Sequence, residues 1–77
     1  MSDTTARVCR LVAEHFGERP RRITLATRLE ELGAELDDRL ELGLALEDEF
    51  IVALPGRNIT EFDSVADLVR MVERAGG

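Results

Sequence analysis

The side chains that could do chemistry in this chain are mostly carboxylates, and they are concentrated in one stretch. Residues 32–50 read LGAELDDRLELGLALEDEF, which is both the most acidic and the most apolar run of the sequence. Paired carboxylates can act as a general acid and a general base, but the acid needs a desolvated pocket that raises its pKa. We expect these carboxylates on an exposed helix, so they do not predict acid–base catalysis.

Two other reactive side chains, Cys9 and His15, are each the only one of their kind. Only Arg7 and Arg10 lie near Cys9 in sequence to lower its pKa, so we expect a structural thiol that is buried or half-buried. His15 falls at the end of a predicted helix, where a histidine interacts favourably with the helix dipole. The sequence has no glycine-rich phosphate loop and no Ser/His/Asp or Cys/His set. It predicts a protein without enzymatic activity.

Binding of small ions has weak support in the sequence. No Cys/His cluster has the spacing of a metal site, so we assign none. One hypothesis remains, in which Asp37, Asp38 and Glu41 weakly hold a divalent cation such as calcium. A group of arginines, at positions 19, 21 and 22, could bind a phosphate, or it could be a solvated loop that balances the acidic helix.

The elements that carry these residues are predicted to be helices of a single domain, residues 1–77. A chain of this length buries only about 60% of its unfolded surface, and one cysteine cannot form an internal disulfide, so it must fold compactly or bind a partner. We predict an all-α, small antiparallel bundle of three main helices and one short helix. The predicted segments are a first helix capped by Asp3, Thr4 or Thr5 and ending at Phe16, one turn at Thr27–Leu32, a long helix Leu36–Phe50, a short helix Arg57–Phe62, and a last helix Val65–Glu73 capped by Asp63 or Ser64.

Apolar periodicity predicts the core. Residues three or four apart share one face of a helix, and that face packs against the neighbouring helices. Loop residues Ile23 and Leu25, the turn residues Leu29 and Leu32, and the Ile51–Leu54 run are also expected to pack on the bundle. Ile51 and Val52 either widen the core there or add apolar surface. The predicted helical core positions are Val8, Val12, Phe16, Leu42, Leu46, Phe50, Val65, Leu68, Val69 and Val72.

The long helix has a second apolar face. Leu36, Leu40 and Leu44 recur every four residues and point away from the predicted core face. Acidic residues flank them, although acids in the first turn are also explained by the helix dipole. A helix that only packs in its own domain needs one apolar face, so the second predicts a docking surface. Its predicted residues are Leu36, Asp37, Leu40, Glu41, Leu44, Glu47 and Asp48.

Overall charge and hydropathy narrow the class of partner. The formal net charge is −6, which repels nucleic acid and favours basic protein surfaces. No apolar run approaches the length of a membrane span, and the N-terminal sequence lacks the pattern of a signal peptide. We therefore expect a cytoplasmic protein whose partner is another protein, with no nucleic acid and no membrane.

The long helix and the loop after it resemble those of acyl carrier proteins. The resemblance is carried by Leu32-Gly33-Ala34, Leu40-Glu41-Leu42, Ala45-Leu46-Glu47, Glu49-Phe50 and Leu54-Pro55. It extends to the first helix through Arg7-Val8 and Phe16-Gly17, and to the start of the last helix through Asp63-Ser64-Val65. This resemblance implies the same helical bundle and a partner that processes acyl groups.

One departure from the family pattern bears directly on function. Carrier proteins have Asp-Ser-Leu after Gly-Ala, and 4′-phosphopantetheine is attached to that serine. This chain has Glu35-Leu36-Asp37 there, and leucine has no oxygen to esterify. The resemblance therefore implies a protein without its usual prosthetic group, and Arg39 is expected to alter recognition by the enzymes that load carriers.

Three functional hypotheses follow. The first is a monomeric carrier-like protein that docks on a basic patch of an enzyme of fatty acid, polyketide or related acyl metabolism, as a non-carrying partner or regulator. The second is a true acyl carrier protein whose serine has been substituted. The third is a structural module whose second leucine face pairs with itself.

Overall fold

Three α-helices make up most of the structure, a computed structural model that describes residues 2–54 and 62–76. Helix α1 is Asp3–Phe16, helix α2 is Leu36–Phe50 and helix α3 is Val65–Arg74. The described residues include no β-strand, only an isolated bridge between Arg28 and Ser64. The prediction of an all-α fold is confirmed. The short helix predicted at Arg57–Phe62 falls, except for Phe62, outside the described residues.

Capping residues set the ends of α1. The hydroxyl of Ser2 accepts a hydrogen bond from the backbone N–H of Thr5 at 3.1 Å, so Ser2 is the N-cap. The sequence-based choice among Asp3, Thr4 and Thr5 was wrong, because the helix begins one residue earlier than that choice required. Gly17 ends the helix at φ +69°, a left-handed conformation that glycine adopts without steric cost.

The segment between α1 and α2 contains two 3-10 turns, Pro20–Arg22 and Leu29–Leu32. The second turn ends at Gly33, as predicted. It is capped one residue later than predicted, since the N–H of Arg28 donates to the Glu31 carboxylate at 2.9 Å. Three backbone hydrogen bonds then fasten this segment to the start of α3: Leu29 N–H to Asp63 O, Val65 N–H to Thr27 O, and Ala66 N–H to Leu25 O.

The core lies where α1 packs against α2 and α3. All predicted helical core positions are buried except Phe16 and Phe50, which are half-buried and pack against the core. Among the predicted loop positions Ile23, Leu29 and Leu54 are buried. Leu25 is exposed, contrary to the prediction, because it lies in the tight turn closed by the Thr27 N–H to Thr24 O hydrogen bond.

Among the described residues, no helix is both long and apolar enough to cross a membrane.

Candidate functional site

The outward face of α2 is positioned by the burial of its opposite face. Leu42 and Leu46 are completely buried, which fixes the rotation of the helix about its axis. At 100° per residue, Leu36, Leu40 and Leu44 must then point towards solvent. Their exposed fractions are 57%, 40% and 63%. The second leucine face predicted from the sequence is therefore present, and it extends over about 12 Å along the helix axis at 1.5 Å per residue.

The carboxylates of α2 divide into two groups, and those of the first group form contacts with other residues of the domain. Glu49 accepts a hydrogen bond from Arg7 Nε at 2.9 Å and is also approached by Arg10 at 3.3 Å. Arg7 in addition donates to the Glu49 backbone oxygen and stacks over the Phe50 ring, so this pair holds α1 against α2. These contacts give Glu49 a structural role, and the sequence-based docking surface did not include it.

Glu47 also has a structural contact, although it was predicted for docking. Its Oε2 accepts a hydrogen bond from the backbone N–H of Leu54 at 2.7 Å. This contact fixes the loop after α2, and it leaves Glu47 half-buried. Glu47 is thus at the edge of the candidate surface, with part of its carboxylate already occupied.

The second group of carboxylates points outward beside the leucines. Asp37, Glu41 and Asp48 are all exposed, and the described residues provide no arginine partner for any of them. Six of the seven predicted docking residues are therefore exposed on one side of α2, and the seventh is Glu47. Apolar side chains flanked by unneutralised acids can contact a protein surface that is apolar at its centre and basic at its rim.

Asp38, in the first turn, connects α2 to the end of α1. Its Oδ2 accepts a hydrogen bond from the Glu35 N–H at 2.8 Å, which caps the helix, and its Oδ1 lies 2.9 Å from Nε2 of His15. The Glu35 hydrogen bond, and then that of His15, hold the pKa of the Asp38 carboxyl below its ordinary value of 3.8. The sequence placed His15 only near a helix end and did not reveal this contact.

Ile51, which directly follows α2, lies on the surface. It is 90% exposed, so of the two alternatives for Ile51, a wider core or added apolar surface, the structure agrees with the second. Its backbone is left-handed, with φ 54° and ψ 53°, so the chain turns back to bury Leu54 and leaves Ile51 outside. Its spacing from Leu40 and Leu44 is the signal that could have placed it on the same face.

Arg39 lies on the side of α2 that faces the chain before α3. Its guanidinium donates to the backbone oxygen of Phe62 and lies 5.8 Å from the centre of the Phe62 ring. Because Arg39 is half-buried and has these contacts, its role inside the domain is structural. An effect on loading enzymes stays a prediction.

The remaining reactive groups lie away from this face. Cys9 is 4% exposed, and burial raises the pKa of its thiol, which favours the unreactive protonated form. The predicted structural role of Cys9 agrees with this burial. Arg19, Arg21 and Arg22 are exposed at the first 3-10 turn.

Leu36 is the first residue of α2, next to the N-cap Glu35. A side chain at this position projects from the helix start, beside the turn that ends at Gly33. With 57% of its surface exposed, Leu36 could be reached by a modifying enzyme if it carried a nucleophile. It has only aliphatic carbon.

Comparisons with known proteins agree with this geometry. A family model described as a phosphopantetheine attachment site matches residues 6–72. The chain is 36% identical over 74 residues to an acyl carrier protein of Zymomonas mobilis, and the match covers 95% of each sequence. The crystal structure of an acyl carrier protein from Thermotoga maritima superposes with a TM-score of 0.77 at 24% identity, over 91% of this chain and 82% of that one.

Proposed function

Since the chain belongs to the acyl carrier protein family, we propose that it docks on an acyl-processing enzyme through the outward face of α2 without carrying a phosphopantetheine arm. The observation that carries this proposal is Leu36, an exposed leucine at the start of α2. A phosphopantetheine arm is attached through a hydroxyl oxygen, and Leu36 has none.

The surrounding sequence offers no substitute for the missing hydroxyl. Between Thr27 and Thr60 there is no serine or threonine, and the whole chain has no tyrosine. Ser64 is committed as the N-cap of α3, where its oxygen accepts from the Asp67 N–H at 3.3 Å. The chemistry of the α2 start therefore favours a protein that is recognised but not loaded.

The proposed partner surface follows from what α2 exposes. Leu36, Leu40 and Leu44 would enter an apolar groove, while Asp37, Glu41 and Asp48 would face arginines or lysines at its rim. Glu47 contributes to the same rim only with the part of its carboxylate that Leu54 leaves free. In this role the protein would occupy a carrier-binding patch as a regulator or subunit of fatty acid, polyketide or related metabolism, in the cytoplasm.

Covalent loading can be tested by intact-mass spectrometry. The native chain is incubated with coenzyme A and a phosphopantetheinyl transferase, with an unrelated carrier protein as the positive control. We expect no mass gain for the native chain. A gain of one phosphopantetheine would overturn the proposal, because it would show a nucleophile other than residue 36.

The variant Leu36→Ser distinguishes a carrier-like partner from a carrier that lost its serine. If Leu36→Ser is loaded and then acylated at the rate of the control carrier, the rest of the site is that of a working carrier, which favours the second hypothesis. If it is loaded slowly or not at all, Glu35 and Arg39 weaken recognition of this site by the loading enzyme, as the proposal expects.

Docking can be tested with immobilised acyl-processing enzymes of the same organism, beginning with those encoded beside this gene. The paired variant Glu41→Lys, Asp48→Lys reverses two outward charges, and Glu18→Lys, Glu73→Lys makes the same net change at exposed positions elsewhere. We expect the first pair to abolish binding and the control pair to retain it. Native binding should also weaken as salt shortens the Debye length. Equal binding by both pairs would exclude the outward face of α2.

A further inference from the structure

Three metal-ligating side chains meet where the end of α1 crosses the start of α2. His15 comes from α1, and Asp38 and Glu41 come from successive turns of α2. One ligand atom from each lies within 4.8 Å of the other two. Nε2 of His15 is 2.9 Å from Asp38 Oδ1 and 3.8 Å from Glu41 Oε2.

We propose that His15, Asp38 and Glu41 form a binding site for a divalent transition cation of the zinc class. A zinc ion with bonds of about 2.0–2.2 Å to nitrogen and oxygen holds tetrahedral ligand atoms roughly 3.3–3.6 Å apart. The two distances from Nε2 fall on either side of this spacing, and the three ligand atoms all lie within 4.8 Å of one another, so rotation of the exposed Glu41 side chain would bring them onto one ion. The ligand form is the neutral imidazole, in which Nε2 gives its lone pair to the metal and the ring proton lies on Nδ1.

The donor set decides which cations fit. Calcium and magnesium take oxygen ligands, whereas an imidazole nitrogen beside carboxylates suits zinc, nickel or cobalt. The sequence-based hypothesis of a calcium-type site made of Asp37, Asp38 and Glu41 differs in one ligand. In the structure Asp37 is exposed and does not belong to the cluster, and His15 takes its place.

Two of the three proposed ligands, Asp38 and His15, are already held in place by contacts within the domain. Asp38 Oδ2 is fixed by the Glu35 N–H at 2.8 Å, which leaves Oδ1 directed at His15. The His15 ring packs edge-on against Phe16, with the ring centres 4.8 Å apart. Both side chains are largely covered, while Glu41 is exposed. The ion would therefore have two anchored ligands from different helices, an exposed third ligand, and a solvent-facing position for water.

The charge of the cluster is complementary to a divalent cation. Two carboxylates face a single imidazole, so the group carries excess negative charge that one divalent ion would neutralise. A bound ion would also connect α1 to α2, and because only the folded chain brings the three residues together, binding should stabilise the fold.

The test uses the full chain, since His15 is its only histidine and gives a single set of ring signals. Zinc is titrated while the His15 ring nitrogens are followed by NMR, and affinity is measured by calorimetry. We expect zinc to shift Nε2 strongly, and His15→Gln and Glu41→Gln each to weaken zinc binding by about tenfold or more. The matched control Asp37→Asn removes one charge from the same turn and should weaken it by less than threefold.

Three outcomes would overturn the site: Nε2 signals unmoved at saturating zinc, Asp37→Asn as damaging as His15→Gln, or calcium binding as tightly as zinc. Far-UV circular dichroism of each variant checks that it is folded. Docking is measured separately in the presence of a chelator, so neither result depends on the other.

Discussion

At the scale of single residues, Ile51 combines backbone strain with exposure of an apolar side chain. It is the only described residue other than glycine with positive φ. A left-handed conformation costs an L-residue about 1–2 kcal/mol, and a β-branched side chain suits it poorly. With 90% of its surface exposed, Ile51 gains little from packing to offset that cost.

Replacement of Ile51 by glycine should therefore stabilise the isolated protein. Glycine relieves the strain but adds freedom to the unfolded chain, so we expect a net gain of about 0.5–1 kcal/mol in the free energy of unfolding. Urea denaturation measures it. The control Ala53→Gly adds the same freedom at an exposed position that is not left-handed and should be destabilising. A loss of stability in Ile51→Gly would show that the side chain packs more than its exposure indicates.

Asp38 makes stability depend on pH in the acid range. Its pKa is lowered in the folded state by the Glu35 and His15 hydrogen bonds, so its contribution is present above the ordinary pKa of 3.8 and is lost as pH falls through the lower folded value. The urea midpoint of the native chain should exceed that of Asp38→Asn at pH 5, and the difference should shrink towards pH 2.

The matched variant for this pH test is Asp37→Asn. Asp37 lies one position away in the same turn but is exposed and lacks these hydrogen bonds. Its difference from the native midpoint should stay small at both pH values. If the two variants follow the same pH dependence, the effect comes from the helix dipole and not from the Asp38 contacts.

At the scale of the element, α2 separates acids that hold the fold from acids that face solvent. Adjacent residues illustrate the division, since Glu49 bonds Arg7 and Arg10 while Asp48 is exposed. We expect Glu49→Ala to lose about 1–2 kcal/mol of unfolding free energy, because a charge-assisted network is removed but is partly screened by solvent. Asp48→Ala should stay within about 0.5 kcal/mol of the native value. Chemical denaturation of both variants measures the contrast, and equal losses would contradict it.

The sequence predicted elements better than it predicted contacts between them. Leucine periodicity gave both ends of α2 and its two faces, because these depend on local spacing and on burial of one side. It could not show that Glu49 and Glu47 are used internally, since their partners Arg7 and Leu54 are brought near only by folding. The sequence left burial or exposure of Ile51 open for a related reason, because its outward turn depends on a left-handed backbone that isoleucine rarely adopts.

At the scale of the whole molecule, net charge opposes pairing of the outward leucine faces. The chain has a formal net charge of −6, and the exposed Leu36, Leu40 and Leu44 are flanked by acids that would meet the same acids of a second copy. We predict a monomer in sedimentation velocity at micromolar concentration and low salt. Any dimer should grow as salt screens the repulsion. A dimer at low salt that Leu44→Asn abolishes would support the structural-module hypothesis instead.

The three backbone hydrogen bonds between the α1–α2 connection and the start of α3 have a consequence for local opening. The Leu29 N–H donates from the connection to Asp63, and the Val65 and Ala66 N–H groups donate from α3 to the connection. Detachment of the connection would therefore leave all three N–H groups without these partners. In deuterium oxide, the Leu29 amide should exchange as slowly as those of α3, although it belongs to no α-helix. The two segments would then behave as one cooperative unit, and the connection before α2 would serve as a brace and not as a hinge.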